Sequence, residues 1–391
     1  KSYIPDVETI DIADTVKKGT LSATTDFSKL KGVDAVFICV PTPFDKAKAP
    51  DLSFVCSASQ AVAQNLHKDM IVVLQSTTYP GTTEEVVRPI LEKTGLIAGK
   101  DFYLGFSPER IDPGNKKFTA KNTAKVVGGT TPEGTELICD LFAAFIGREY
   151  IKPVSGPKTA EMCKILENTF RSVNIALVNE LAQLSERMEI DIWEVIDAAA
   201  TKPFGYMPFY PGPGVGGHCI PVDPFYLSWK AREYDFYTKF IELAADVNMN
   251  MPLFALKKIK DALNTQGKAL KAAKVLVLGA AFKKDIDDHR NSPAMYLMKL
   301  IRKENADLNY SDPYVPQINI EHDVFSQEEN PLQKKSLELS VENLKQQDCV
   351  VIVVAHSNFD YEQIVKNSKL IVDLVNATKN VTSKKTNVVK L

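Results

Sequence analysis

Histidine is scarce in this chain, with five among 391 residues. They are dispersed, so no ligand set with metal spacing can be built from them and no metal is expected. The six cysteines, Cys39, Cys56, Cys139, Cys163, Cys219 and Cys349, form no CxxC pair. In a chain of this length that reads as reduced thiols in the cytoplasm, five of them small core residues. An excess of one charge is also missing. Lysine and arginine number 47 against 49 acids, a formal net charge of −2, which argues against nucleic acid and anionic membranes as partners. The longest apolar runs, such as 348–355 (DCVVIVVA), are strand-length and too short to span a bilayer. The opening residues, KSYIPDVETIDIAD, are acidic and polar and do not read as a signal peptide.

What remains is an ordinary globular composition, 45% hydrophobic and 25% charged, long enough for two or three domains. Runs at 33–40, 70–77, 101–108 and 124–129 predict strands, with helical patterns at 54–66 and 82–94 between them. That alternation predicts a parallel sheet covered on both faces. Ligands bind such sheets at the carboxyl ends of strands. Three polar exits lie there: VPTP (40–43), STTYPGTT (76–83) and SPERIDPGN (107–115). From 156 to about 200 the apolar spacing becomes helical, predicting one helix of more than 25 residues. A helix that long joins domains or packs against a second copy. Helical pattern resumes over 226–267. A second α/β unit follows, with strands within 272–282, 306–314, 348–356 and 368–375 and a helix at 293–304. The final KKTNVVKL reads as a frayed tail.

The most unusual stretch is PGPGVGGHCIPVDPF (211–225). GPGVGG fits G-x-G-x-x-G, but a dinucleotide fingerprint needs a strand before it and a helix after it. Proline and aromatics precede it, and Pro221 and Pro224 follow, so it reads as a loop whose bare backbone approaches a ligand. Composition alone leaves Cys219 open between a nucleophile and an inert loop thiol. Adjacent residues point apart, which argues against a His218–Cys219 pair. Asp223 could activate a water or be an ordinary turn carboxylate. Lys164 and Asn168, four apart, share a helix face and could stabilise an oxyanion. Glu109 and Asp112 sit at a strand exit, as general bases or as partners of Arg110. FKKDIDDHR (282–290) offers Lys283 and Arg290 to phosphate, or is a mixed-charge surface turn.

FICVPTP, STTYPGTT, SPER-x-DPGN, AEM-x-K-x-x-x-NTF, GPGVGGHCIPVDPFYL and AFKKDIDDHR-x-SPA occur in an order that resembles the UDP-glucose/GDP-mannose dehydrogenase family. SPERIDPGN and YPGPGVGGHCIPVDPFYLSWKARE are most similar to its UDP-N-acetylhexosamine branch, especially the UDP-N-acetylglucosamine 6-dehydrogenases. The resemblance implies an α/β fold with two Rossmann-like, doubly wound domains joined by a long central helix. Its domains would be 1–155 for NAD, 156–265 for dimerisation and substrate, and 266–391 for the UDP-sugar. It implies NAD-dependent, four-electron oxidation of a sugar C6 alcohol to a carboxylate. Cys219 would capture the aldehyde as a thiohemiacetal and then a thioester. By the same resemblance Lys164 would stabilise oxyanions, Asn168 would hold the reacting oxygen and Asp223 would orient or deprotonate water. Glu109 would act in hydrolysis. Thr77 would position water and touch NAD, and Thr42 would touch NAD. Lys283 would contact the UDP-sugar, Arg290 the cofactor or substrate, and Phe209, Tyr210 and Gly216 would form the substrate loop. A cytoplasmic homodimer or higher homo-oligomer supplying capsule or O-antigen precursors is implied. UDP-N-acetylmannosamine or UDP-glucose oxidation, or UDP-sugar binding without catalysis, are the rival readings.

The sequence departs from the family in three places. No strand–GxGxxG–helix precedes the first run, and the natural protein is expected to carry one. Val222 stands where some relatives have a cofactor-binding lysine. Asp112 replaces the longer acidic segment of the UDP-glucose enzymes.

Overall fold

Short β-branched and aromatic runs build the first sheet, seen in a computed structural model that describes residue 2 and residues 7–45, 49–112, 115, 117–320 and 331–391. Along the chain come α1 (Thr9–Lys17), β1 (Ala35–Ile38), α2 (Ser53–Ala63), β2 (Ile71–Leu74), a π turn (Thr83–Val87) running into α3 (Arg88–Glu92), and β3 (Tyr103–Phe106). Then follow β4 (Lys125–Gly129), α4 (Pro132–Ile146), β5 (Ile151–Pro153) and α5 (Pro157–Arg187). The strand order is β1-β2-β3-β4-β5. Val72 and Leu74 face one buried cluster and Val73 the other, so β2 is covered on both sides.

This sheet is not wholly parallel, as the alternation predicted. β1, β2 and β3 run parallel, but β3 and β4 pair antiparallel through Gly105–Gly129 and Phe106–Gly128. A parallel return needs a crossover, usually a helix. The link from 107 to 124 has no helix among its described residues. β5, three residues ending in Pro153, was not foreseen; it pairs parallel to β4 at the sheet edge, where proline is tolerated.

The predicted long helix is α5, with 31 residues. By internal contacts the chain forms two units, one from Lys1–Asn168 and Val222–Thr238, the other from Thr169–Pro221 and Lys239–Leu391. α5 begins in the first and ends in the second. Three more helices follow: α6 (Ile192–Ala199), α7 (Cys219–Ala231) and α8 (Lys239–Thr265).

The second unit's sheet starts with β6 (Lys274–Leu278), followed by α9 (Pro293–Lys303), β7 (Asp307–Ser311) and an antiparallel pair, β8 (Gln317–Ile320) with β9 (Leu332–Lys335). α10 (Val341–Gln346), β10 (Cys349–Ile352), α11 (Tyr361–Asn367), β11 (Ile371–Asp373) and β12 (Val388–Lys390) complete it. The order is β12-β11-β10-β6-β7 and every neighbour is parallel. The chain moves from β6 to β7 on one side and returns to β10 on the other. That reversal opens a crevice at the carboxyl ends of β6 and β10. Both sheets thus have the expected Rossmann-like α/β organisation.

The last residues are not a frayed tail. Val388 and Val389 pair with Ile371 and Val372 in β11, and Leu391 N–H donates to Asp373 O at 3.0 Å. Lys390 Nζ is ion-paired with Asp191, and Leu391 is 7% exposed. Two β-branched residues fill an open sheet edge, which outweighs end fraying. Leu391→Ala should therefore lower stability by about 2 kcal/mol, read as a lower urea midpoint. An unchanged midpoint would restore the frayed-tail reading.

Candidate functional site

In the first unit, α5 presents Lys164 and Asn168 one turn apart. Asn168, 4% exposed, donates through Nδ2 to Asp223 Oδ2 at 2.6 Å. Half-buried Lys164 donates from Nζ to the backbone oxygen of Glu109 at 2.7 Å. Asp223 lies on α7 and is 2% exposed. Burial pushes its carboxyl up to about 7, against the Asn168 hydrogen bond and the Lys164 charge. A group poised there can take or give a proton near neutrality.

Glu109, at the exit of β3, behaves oppositely. Burial works against its charge, but Lys125 Nζ at 2.7 Å and the N–H groups of Arg110 and Ile111 outweigh it. Its carboxyl is held below the usual range. The suggested Glu109–Arg110 side-chain pair is not formed; Arg110 pairs with Glu167 at 2.8 Å. Pro113 and Gly114 of the same motif lie outside the described residues. The exits of β1 and β2 are tied by Ser76 Oγ, which donates to Val40 O and accepts from Val40 N–H, both at 2.8 Å. Thr42 and Thr77 sit on these exits, Thr42 buried with its carbonyl accepting from Tyr226 Oη–H.

In the second unit, the aromatic and glycine-rich stretch before α7 is anchored by side chains. Tyr210 donates to Asp197 at 2.7 Å and stacks on Trp193 at 5.9 Å, and Phe209 meets Phe170 edge-on at 5.7 Å. Asn179 accepts from Gly212 N–H at 3.0 Å. Gly216 and Gly217 lie against Phe282. A Cβ on Gly216 would fall 2.6 Å from Pro293 Cδ and 2.8 Å from Phe282 Cβ, and Gly217 has φ +85°. Only glycine allows that approach. It brings the loop leading to Cys219 onto the 282–293 stretch, which carries Lys283 and Arg290. Lys283 is half-buried beyond β6, while Arg290 makes a two-pronged pair with Asp288 at 2.6 and 2.9 Å. Desolvation, then the Arg290 charge, pulls His218 below its usual value.

Cys219 and Asp223 are not loop residues. They lie one turn apart at the start of α7, with the Cys219 thiol exposed. Pro221 falls in the first turn, where an N–H has no helical partner to lose. GPGVGG is followed by a helix after all, but no strand lies within 201–218. Of the cysteines expected in the core, Cys139 and Cys349 are buried, Cys56 and Cys163 half-buried, and Cys39 exposed. Lys125 went unnoticed as the partner of Glu109. The available signal was a lysine opening the otherwise apolar run AKVVGG. Among the described residues no cluster could hold a metal, and no helix is long and apolar enough to cross a membrane.

Comparison with known proteins finds the UDP-glucose/GDP-mannose dehydrogenase family three times along the chain. Its NAD binding domain matches residues 3–146, its central domain 158–250 and its UDP binding domain 276–380. The UDP-N-acetyl-D-glucosamine 6-dehydrogenase of Pseudomonas aeruginosa is 38% identical over 307 residues, covering 78% of this chain and 72% of that protein. The UDP-N-acetyl-D-mannosamine dehydrogenase of Pyrococcus horikoshii is 37% identical over 361 residues, covering 91% and 80%. A solved structure of a UDP-D-ManNAc dehydrogenase from Pyrococcus horikoshii superposes with a TM-score of 0.85 at 31% identity, covering 100% of this chain and 87% of that one.

The cofactor of the family is NAD. The first sheet's carboxyl edge suits a hydroxyl- and amide-rich ligand. Thr42, Ser76, Thr77, Thr78 and Ser107 line the strand exits, and Thr78 Oγ1 and Ser107 Oγ are buried without a hydrogen-bond partner among the described residues. Such orphans are uncommon and fit a site completed by a ligand.

Asp223 yields a prediction that needs no substrate. Its carboxyl is raised, so the unfolded chain gives up this proton at a lower pH than the folded chain. Stability from this group therefore falls as pH rises from about 4 to about 7. Asp223→Asn, neutral throughout, should gain in urea midpoint over the parent between pH 5 and pH 8. A difference that does not change with pH would contradict the burial argument.

Proposed function

The chain belongs to the UDP-glucose/GDP-mannose dehydrogenase family and is an NAD-dependent UDP-sugar dehydrogenase, an oxidoreductase, and we propose that it oxidises the C6 hydroxyl of UDP-N-acetylglucosamine to the uronate through Cys219. The observation that carries this reading is the start of α7. An exposed thiol and a buried carboxyl poised near neutrality lie one turn apart, and Asn168 hydrogen-bonds that carboxyl.

NAD, when bound, takes up the hydrides, two per sugar. Cys219 Sγ bonds to the C6 carbon at the aldehyde level, and the thiol proton goes to the carbonyl oxygen. The same sulfur holds that carbon at the acid level as a thioester. Lys164 and Asn168 donate to the oxygen that becomes negative at each addition. Asp223 takes a proton from the attacking water, the C–S bond breaks, the sulfur regains a proton and the carboxylate leaves. Glu109, kept ionised by Lys125, orients the water with Thr77. Thr42 and Thr77 hold the cofactor. Lys283 meets the UDP-sugar, Arg290 the cofactor or substrate, and Phe209, Tyr210 and Gly216 shape the sugar site. We assign residues 1–155 to NAD, 156–265 to the central part and 266–391 to the UDP-sugar. Exposed Phe170, Leu177, Leu181 and Leu184 on α5 support a homodimer built on that helix. Six cysteines without a CxxC pair support a cytoplasmic setting.

UDP-N-acetylmannosamine is the second reading, favoured by the likeness to the Pyrococcus horikoshii structure. Incubating each sugar to completion and counting NADH separates the possibilities. A ratio near two from UDP-N-acetylglucosamine supports the proposal, and a ratio near one removes the thioester. Turnover of the mannosamine sugar alone transfers the proposal to it. Cys219→Ser should cut carboxylate formation by about 10³-fold or more while UDP-sugar binding is retained. Parental turnover in that variant would exclude covalent catalysis.

A further inference from the structure

We infer that Glu161 is a positioning residue for this reaction, holding the Thr77 segment in register with Lys164 and Asn168. The inference rests on the roles proposed above for those three residues. Glu161 is a fully buried carboxylate on α5, and every donor it meets lies in one short turn. Oε2 accepts from Gly81 N–H at 2.5 Å. Oε1 accepts from Thr83 N–H at 2.9 Å and from the Thr83 hydroxyl at 2.7 Å. No cation pairs with it among the described residues. Burial pushes its carboxyl up and the hydrogen bonds from Gly81 and Thr83 pull it back, so the acid depends on those directed bonds and its geometry is strictly set.

The turn it grips begins four residues after Thr77 and leads into the π turn before α3. Gly81 takes φ +111°, a backbone conformation that a residue with a side chain rarely adopts, so the turn depends on glycine there. On the other side, Glu161 precedes Lys164 by three residues and Asn168 by seven, which puts all three along one face of α5. A single side chain therefore joins the exit of β2 to the helix face bearing the oxyanion donors. An amide in its place keeps one acceptor and sets an N–H₂ group against donors on the other side. A methyl leaves all three donors unmet.

The test uses Glu161→Gln and Glu161→Ala in the full chain. Glu161→Gln should lower kcat at least tenfold while KM for the UDP-sugar stays within about twofold, because the loss falls on alignment rather than on binding. Glu161→Ala should lose more and regain at least tenfold on addition of formate, saturably and not with chloride at equal ionic strength. Formate should also raise the thermal midpoint of Glu161→Ala and leave the parent unchanged, a readout independent of turnover. Parental kcat in Glu161→Gln overturns the proposal. So does formate that stabilises Glu161→Ala without restoring kcat, since Glu161 is then structural only. A parent chain that reduces no NAD with any UDP-sugar defeats the functional reading instead, and with it the positioning role, whatever formate does to the midpoint.

Discussion

Asp223 is almost completely removed from water, and the hydrogen bond to its Oδ2 comes from a neutral amide, Asn168. An ionised carboxylate in that position loses its hydration without gaining a cation in contact, and Lys164 acts on it only through its charge. The result is an acid whose two protonation states are nearly balanced at neutral pH. Much of the surrounding architecture maintains this condition. α5 must hold Asn168 rigidly, and α7 must start early enough to bury position 223 while leaving position 219 exposed. Lys164 must remain close without pairing, which its bond to the Glu109 carbonyl achieves.

Glu109 shows why neighbouring carboxylates end with different proton affinities. Its side chain is half exposed, and Lys125 and two backbone N–H groups outweigh what desolvation there is and hold it ionised. One acid that stays charged beside one that titrates gives the first unit both a fixed charge and a mobile proton. Phe282 sets the height of the glycine loop, so the backbone entering α7 lies where only Gly216 and Gly217 can pass.

Much of this was legible in the residues. The 31-residue α5 announced itself because its apolar spacing runs unbroken by proline or glycine after Pro157. The strands were short apolar runs ending in polar exits, and the motif residues Glu109, Lys164, Asn168 and Asp223 do converge. What could not be read had physical causes. The direction of β4 depends on a connection with no helix among its described residues, and strand composition is indifferent to direction. α7 was hidden by Pro221, which is tolerated in the first turn, and by Pro224, which lies inside the helix although proline usually ends one. Val388 and Val389 are too few to signal a strand, and only an open edge at β11 makes them one. Lys125 reaches Glu109 across 16 positions, a pairing that periodicity does not encode.

Strand exits in α/β sheets leave backbone N–H groups beyond the last ladder bond, and each must find an acceptor. Both units answer with a buried carboxylate. Glu161 takes Gly81 and Thr83 in the first. Asp312 takes Ala280, Ala281, Tyr314 and Val315 in the second, and also accepts from His356 Nε2, whose Nδ1 accepts from Asp285 N–H. His356 is therefore held as the Nε2–H tautomer and completes a clamp on the loop that carries Phe282 and Lys283. A ligand anion could satisfy such donors only while bound, leaving the loops loose between turnovers. An acid supplied by the chain satisfies them permanently. The exits so filled become supports, and the hydroxyls of Thr78 and Ser107, without a partner among the described residues, mark where the fold has kept room for something else.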